Sequence, residues 1–390
     1  MKINETDRER YIEAACDSFR KLIGEQLDRQ ERMEESSERK DFASLEKIVI
    51  GVCPGDGIGP AITGEAVRVL KKLMAEELLS GRIGLRMIEG LTIENRERTG
   101  KSVPDDVLAA IKACDVLLKG PTTTPKGGMM ESANVTLRRE LDLFANVRPV
   151  SIPEEGIDWT FFRENTEGEY VLGSKGVEIP GKLAMDFKVT TKAGTERIAR
   201  AAFDHAAKNG KTRVAIVTKA NIMKKTDGSF SEICHRVAED YPGIEAEDYY
   251  IDIMTANLVK KPSRSRFQVF LLPNLYGDIL TDEAAEIQGG VGTAGSANIG
   301  DRYAMFEAIH GTALRMVEEG RDKYADPTSM FKASELMLRH IGYAEKADRL
   351  AGAVKAASDT AENDPKYKVT GRLEGATGAA FADLVMSFLG

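Results

Sequence analysis

The chain has few of the residues on which several specialised protein classes depend. Its 390 residues include one tryptophan, four histidines and four cysteines, and aromatics make up 6%. Cys16, Cys53, Cys114 and Cys234 are scattered without CxxC spacing. That excludes a disulfide framework or a cysteine zinc site and fits a reducing compartment. No apolar run approaches the roughly 18 residues needed to cross a bilayer. Positive charge is not in surplus either: 54 Lys and Arg face 62 Asp and Glu, a formal net charge of −8. A general nucleic-acid partner is therefore not expected, although a local basic pocket stays possible. The amino terminus lacks the basic region and apolar core of a signal peptide and is too acidic for a transit peptide. A cytoplasmic, membrane-free location is the expectation. There is no internal repeat and no low-complexity segment.

What is present reads as an ordinary enzyme body, 42% hydrophobic and 30% charged. Residues 1–45 form a charged leader in which Ile12, Cys16, Phe19, Ile23 and Leu27 recur at helical spacing, predicting one amphipathic helix. Arg29–Lys40 reads as helix edge or linker, and the helix is expected to dock on a partner subunit or on its own body. Strands and helices then alternate. Lys47–Val52, Ile83–Glu89, Asp115–Lys119, Arg213–Thr218 and Phe267–Leu272 read as strands. Helices are predicted at Pro60–Glu77, Pro104–Ala113, Gly194–Lys208, Ile222–Ala238, Ser329–Ile341, Ala344–Ala361 and Gly378–Leu389. The turn Cys53–Pro60 is glycine-rich and could offer backbone N–H groups to a phosphate. It fails as a GxGxxG fingerprint, Asp56 would oppose a phosphate, and a tight turn is the equal alternative. Lys119 and the hydroxyls of Thr122–Thr124, at a strand's carboxyl edge, fit ligand contact there.

The stretch Asn274–Gly300 carries the strongest chemical signal. Asp278 and Asp282 are four apart on a predicted helix, so both carboxylates share one face. Such a pair is by default a solvated face. Here it follows a buried strand and precedes Gly289, Gly290, Gly292 and Gly295, which points to a hard divalent ion, Mg²⁺ or Mn²⁺. Asp252 is a third candidate acid, with helix capping as the alternative. Arg138, Arg139, Arg148 and Arg163 could clamp a substrate bearing several carboxylates. The competing reading pairs Arg138 and Arg139 with Glu140 and Asp142, and leaves Arg148 and Arg163 either paired internally or facing a cleft. Tyr170 and Lys219 could together shuttle a proton. His310 has no ligand partner at metal spacing and could bond a ribose or adenine, or cap a helix.

Together, GDGIGP at Gly55–Pro60, RENTEGEY at Arg163–Tyr170, NLYGDILTDEAAEIQGGVG at Asn274–Gly292 and HGTA at His310–Ala313 resemble the β-decarboxylating dehydrogenases, the isocitrate and 3-isopropylmalate dehydrogenase family. The resemblance runs from Lys47 to Gly390 and leaves out the leader. It implies a doubly wound α/β large domain (46–143 and 289–390) and an inserted smaller α/β dimerisation domain (144–288). A short hairpin arm would lie near 171–192. It further implies metal ligation by Asp278 and Asp282, with Asp252 coming from the other subunit of a homodimer. Lys219 would reach across the same interface to Tyr170. Arg138, Arg148 and Arg163 would hold carboxylates, joined by Ser132 and Asn134, whose polar groups resemble those of isocitrate enzymes rather than isopropylmalate ones. Coenzyme contacts would fall on Thr123, Asn221 and His310–Gly311–Thr312–Ala313, with Arg315 and Asp326 beyond. Where NAD-using relatives carry an acid this chain has Arg315, which favours NADP over NAD; Gly371 lacks the expected phosphate-binding Tyr side chain. The implied activity is oxidative decarboxylation of isocitrate to 2-oxoglutarate. The rivals are 3-isopropylmalate, homoisocitrate or tartrate-like substrates, a regulatory subunit of a hetero-oligomer, and a simple phosphate-binding module.

Overall fold

A computed structural model describes residues 5–34, 39–125, 130–173 and 175–390. The linker expected around Arg29–Lys40 falls partly outside these residues; the leader helix itself extends over Glu5–Glu34, further than the linker reading allowed.

Twelve strands among the described residues are numbered in chain order. They are β1 Ile48–Cys53, β2 Ile83–Met87, β3 Val116–Lys119, β4 Ala145–Ile152, β5 Ile157–Glu164, β6 Val177–Ile179, β7 Leu183–Met185, β8 Arg213–Thr218, β9 Glu245–Tyr250, β10 Val269–Leu272, β11 Gly295–Ile299 and β12 Ala304–Ala308. Ten of them form one sheet in the order β2-β1-β3-β12-β11-β4-β5-β10-β8-β9. Its two ends are parallel, while β11 runs antiparallel to both β12 and β4, and β4 antiparallel to β5. The sheet thus runs unbroken through both segments expected as separate domains. β6 and β7 pair antiparallel with each other, apart from the large sheet.

β3 and β10 are buried at every residue, as strands covered on both faces must be. Side chains facing one side of the sheet (Ile50, Leu118, Phe306, Phe162, Leu271, Ile216) merge into a single large core. The other side is different. There the apolar cover is split between one cluster around Leu117, Leu137 and Met305 and another around Phe161, Phe270 and Leu280. Between them the central strands carry buried polar groups: Asn146 and Arg148 on β4, Ser296 and Asn298 on β11, Glu307 on β12. Each unpaired buried polar group would cost about 1–3 kcal/mol, so these must bond one another. They do. Asn146 Nδ2 donates to Ser296 Oγ at 2.7 Å and to Asn298 Oδ1 at 3.0 Å, and Asn298 Nδ2 to Glu307 Oε1 at 2.8 Å. The polar seam lies where the apolar cover parts.

Some predicted boundaries shift. The helix expected over Pro60–Glu77 ends at Leu73, and Ala75–Leu79 is a separate short helix. That expected from Ile222 begins at Thr226.

Candidate active site

A cavity of about 300 Å³ opens over the polar seam. It is walled on one side by the helix Ala133–Glu140 and on the other by the helix Asn274–Gln288. Ser132, Asn134, Arg138, Arg148 and Arg163 line it. So do Tyr170, Asp278, Asp282, His310 and Gly311.

The helix Asn274–Gln288 follows directly from β10, so Asp278 and Asp282 rise one turn apart from the carboxyl end of a buried strand. Gly277 lets this helix lie on β5: a Cβ there would stand 2.5 Å from Arg163 Cγ. Arg163 consequently passes under the helix. Its Nε and Nη2 donate to Asn274 Oδ1 at 3.0 and 2.7 Å, and Nη1 pairs with Asp278. Arg148 Nη1 donates to Asp282 Oδ1 at 2.9 Å and Thr281 Oγ1 at 2.8 Å. The alternatives of internal pairing and cleft-facing arginines are therefore both met. Arg138 is buried, 3.5 Å from Glu307, with its Nε unpartnered. Its neighbour Arg139 bonds Glu131 instead, so the pairing with Glu140 and Asp142 does not form. Asp142, past the helix end at φ 48°, goes to Arg197, and Glu140 to Lys112.

Tyr170 donates its hydroxyl to Asp278 Oδ2 at 2.8 Å. Burial, and then the Asp278 carboxylate, push that phenol up to about 12, so it rests protonated. Burial works against ionised Asp278, but Arg163 and the Tyr170 hydroxyl outweigh it and hold the carboxyl below its usual range.

Lys219 and Asp252 are not at this cavity. They stand at the carboxyl ends of β8 and β9, joined by a 2.6 Å ion pair, amid exposed Ile222, Tyr250 and Ile253. Among the described residues no three acidic, histidine or cysteine side chains converge for a metal within one chain. The two cavity acids still suit a hard cation: they are oxygen donors on one face, their charge answered here by Arg148 and Arg163.

Of the expected coenzyme contacts only His310 and Gly311 line the cavity; the others lie outside its lining. Thr123 Oγ1 lies 3.4 Å from Thr312 Oγ1, and Ala313 adopts φ 45° where the His310–Ala313 loop turns into the next helix. Arg315 is 86% exposed and bonds Glu319, Asp326 caps Thr328 N at 2.9 Å, and Asn221 is exposed beside Lys219.

Two expectations need correction. The turn at Cys53–Pro60 is packed tight: Asp56 accepts from Ile93 N at 2.8 Å and Thr123 N at 2.7 Å, and a Cβ at Gly57 would strike Thr312 O. Its glycines serve close backbone approach, and its N–H groups are not displayed to a phosphate. Lys119 is fully buried against Glu307 at 2.9 Å and does not line the cavity. Glu307 was missed altogether. Burial would raise its carboxyl, but Lys119 and Arg138 hold it down at about 2. Its signal in the sequence was a lone carboxylate inside the apolar run Ala304–Ile309.

A profile of the family described as "Isocitrate/isopropylmalate dehydrogenase" matches residues 49–375. Isocitrate dehydrogenase [NADP] of Rickettsia bellii is 40% identical over 315 residues, 78% of this chain; the chain spans 62% of that relative's own length. 3-Isopropylmalate dehydrogenase of Archaeoglobus fulgidus is 39% identical over 328 residues, 82% of this chain and 94% of its own. A crystal structure of isocitrate dehydrogenase from Methylococcus capsulatus superposes with a TM-score of 0.76 at 36% identity, over 88% of this chain and 99% of that one.

Proposed function

Because the chain belongs to the isocitrate/isopropylmalate dehydrogenase family, we propose that it oxidatively decarboxylates isocitrate to 2-oxoglutarate, in the cytoplasm, using Mg²⁺ or Mn²⁺ and NADP, with NAD as the alternative coenzyme. The observation that carries the substrate is the meeting of Ser132 and Asn134 with three guanidiniums in one cavity. Arg138, Arg148 and Arg163 match a tricarboxylate, each fork able to take one carboxylate in two bonds. Polar Ser132 and Asn134 facing an alkyl group instead would strand their bonding atoms, at about 1–3 kcal/mol each.

Asp278 and Asp282 would hold the metal, with Asp252 of a second copy completing the set. When bound, the cation supplies Lewis acidity at the substrate hydroxyl, and the nicotinamide accepts hydride. Arg148 and Arg163, which here answer the charge of Asp282 and Asp278, would be available to substrate carboxylates wherever those acids serve as metal ligands. Tyr170, protonated at rest, is the group to deliver a proton to carbon after CO₂ leaves. Lys219 of a second copy, as the free amine after passing its own proton to solvent, would take the hydroxyl proton directly or through water. The apolar groups around Lys219 and Asp252, left exposed in one chain, support a homodimer whose sites are shared.

Initial rates on isocitrate, 3-isopropylmalate and homoisocitrate, with NADP or NAD and with or without EDTA, test this. EDTA-sensitive turnover of isocitrate is expected. Turnover of 3-isopropylmalate alone would overturn the substrate, and activity only in the presence of a different subunit would overturn the homodimer.

A further inference from the structure

The leader helix Glu5–Glu34 precedes the matched family region, yet it grips the segment bearing Tyr170 on both sides. Arg29 Nη1 donates to Glu167 Oε1 at 2.9 Å and Nη2 to Thr166 Oγ1 at 3.0 Å, just before Tyr170. Glu25, one turn earlier on the helix, accepts from Lys175 Nζ at 2.8 Å, just after it. The ring of Phe19 packs on Phe187 at 5.3 Å, and Leu22 is buried. The Glu25–Lys175 pair is exposed and holds little by itself. The Arg29–Glu167 pair is not: the side chains are 15% and 3% exposed.

Glu167 is the root of the Tyr170 segment. Its carboxylate also accepts from Thr191 N at 2.8 Å, and its carbonyl from Asn274 Nδ2 at 2.9 Å. Asn274 in turn holds Arg163, Arg163 holds Asp278, and Asp278 receives the Tyr170 hydroxyl. Bonds thus run without a gap from the leader to the acid of the cavity. Glu164 is buried three residues before Glu167, and burial together with Glu167 raises it to about 7, so this corner is short of positive charge. Arg197, the other nearby guanidinium, pairs with Asp142 and also donates to Thr166 Oγ1 at 3.0 Å, but it makes no bond to Glu167, which Arg29 alone of the two guanidiniums reaches.

We infer that Arg29 is a positioning residue: its guanidinium neutralises Glu167, fixes the turn 166–173, and so seats the Tyr170 hydroxyl on Asp278. The inference rests on the role given to Tyr170 under the proposed function. It makes the leader a working part of the site.

The test uses the full chain with Arg29→Ala and Arg29→Lys, each also made in a Tyr170→Phe background. Two readouts are taken: backbone hydrogen–deuterium exchange and steady-state kinetics on isocitrate with NADP and Mg²⁺. Arg29→Ala should speed exchange across 166–173 by about tenfold while leaving β8 unchanged. It should lower kcat on the order of tenfold with KM within about twofold. Arg29→Lys, which keeps the charge, should recover most of the loss and guards against a misfolded alanine variant. In Tyr170→Phe the same change should cost nothing further, since both act on one group. Unaltered exchange at 166–173, or an equal fractional loss without the Tyr170 hydroxyl, overturns the inference. A wild-type chain inactive on isocitrate overturns the substrate reading instead, and the exchange measurement still decides whether Arg29 holds the turn.

Discussion

Glu307 shows how a single side chain can underpin a site without facing substrate. It sits in a fully buried strand between Lys119 and Arg138 and bonds Asn298. Removing its charge would leave Lys119 buried without a counter-ion, so Glu307→Gln is expected to lose about 3–5 kcal/mol in urea unfolding. Its carboxyl is lower in the folded state than the usual 4.5. The stability it contributes is therefore complete above pH 4.5 and lost as pH falls toward 2, and the variant should show a flatter profile there. Arg315 stands at the opposite extreme, exposed and held only by Glu319. Arg315→Asp should shift the NADP-to-NAD ratio of kcat/KM toward NAD by roughly tenfold; an unchanged ratio would mean this guanidinium never meets the 2′ phosphate. The pairing of Asp278 with Asp282 was legible because helical spacing alone puts them on one face. Glu307, Asn146 and Asn298 were not, because nothing local tells a reader that strands far apart in sequence will share a seam.

At the scale of elements, five of the twelve strands and most of the long helices follow from local pattern, and β8 has the very limits its apolar run predicts. The misses have local causes. The helical pattern continues through Met74 although the backbone turns there, and Asn221–Lys225 carry helical composition but lead into the helix as turns. The segment after the leader helix offers a test. Phe42 packs its ring edge-on against His340 at 5.2 Å, and His340 lies 5.5 Å from Phe306. Burial, and then nearby Arg39, push His340 down to about 4 from 6.5. Folding thus favours the neutral ring, and its contribution is full above pH 6.5 and lost as pH falls from there toward 4. Wild type should weaken over that window by up to about 3 kcal/mol more than His340→Phe, as read from urea midpoints at pH 7 and pH 4.5.

For the molecule as a whole, the decisive arrangement is a division of labour. Tyr170, Asp278, Asp282 and the arginines converge within one chain, while Lys219 and Asp252 stand together elsewhere on it, ringed by exposed apolar groups. Motif order named all of these residues, and the family resemblance implied that Asp252 and Lys219 serve the site of a second copy; residue spacing by itself showed neither. Alternation made the α/β character legible and the resemblance implied the doubly wound fold; the single sheet running through both expected domains was not legible, since β4 pairs with β11 and β5 with β10 across long separations.

Mixing two inactive variants tests that division directly. Asp278→Asn spoils the cavity and Lys219→Met spoils the separate strip, so neither homodimer should turn over isocitrate. Unfolded and refolded together at equal concentration, they should form mixed dimers with one intact site in two, and recover about a quarter of wild-type activity with NADP and Mg²⁺. A refolded mixture as inactive as its parents would contradict a site built from two chains.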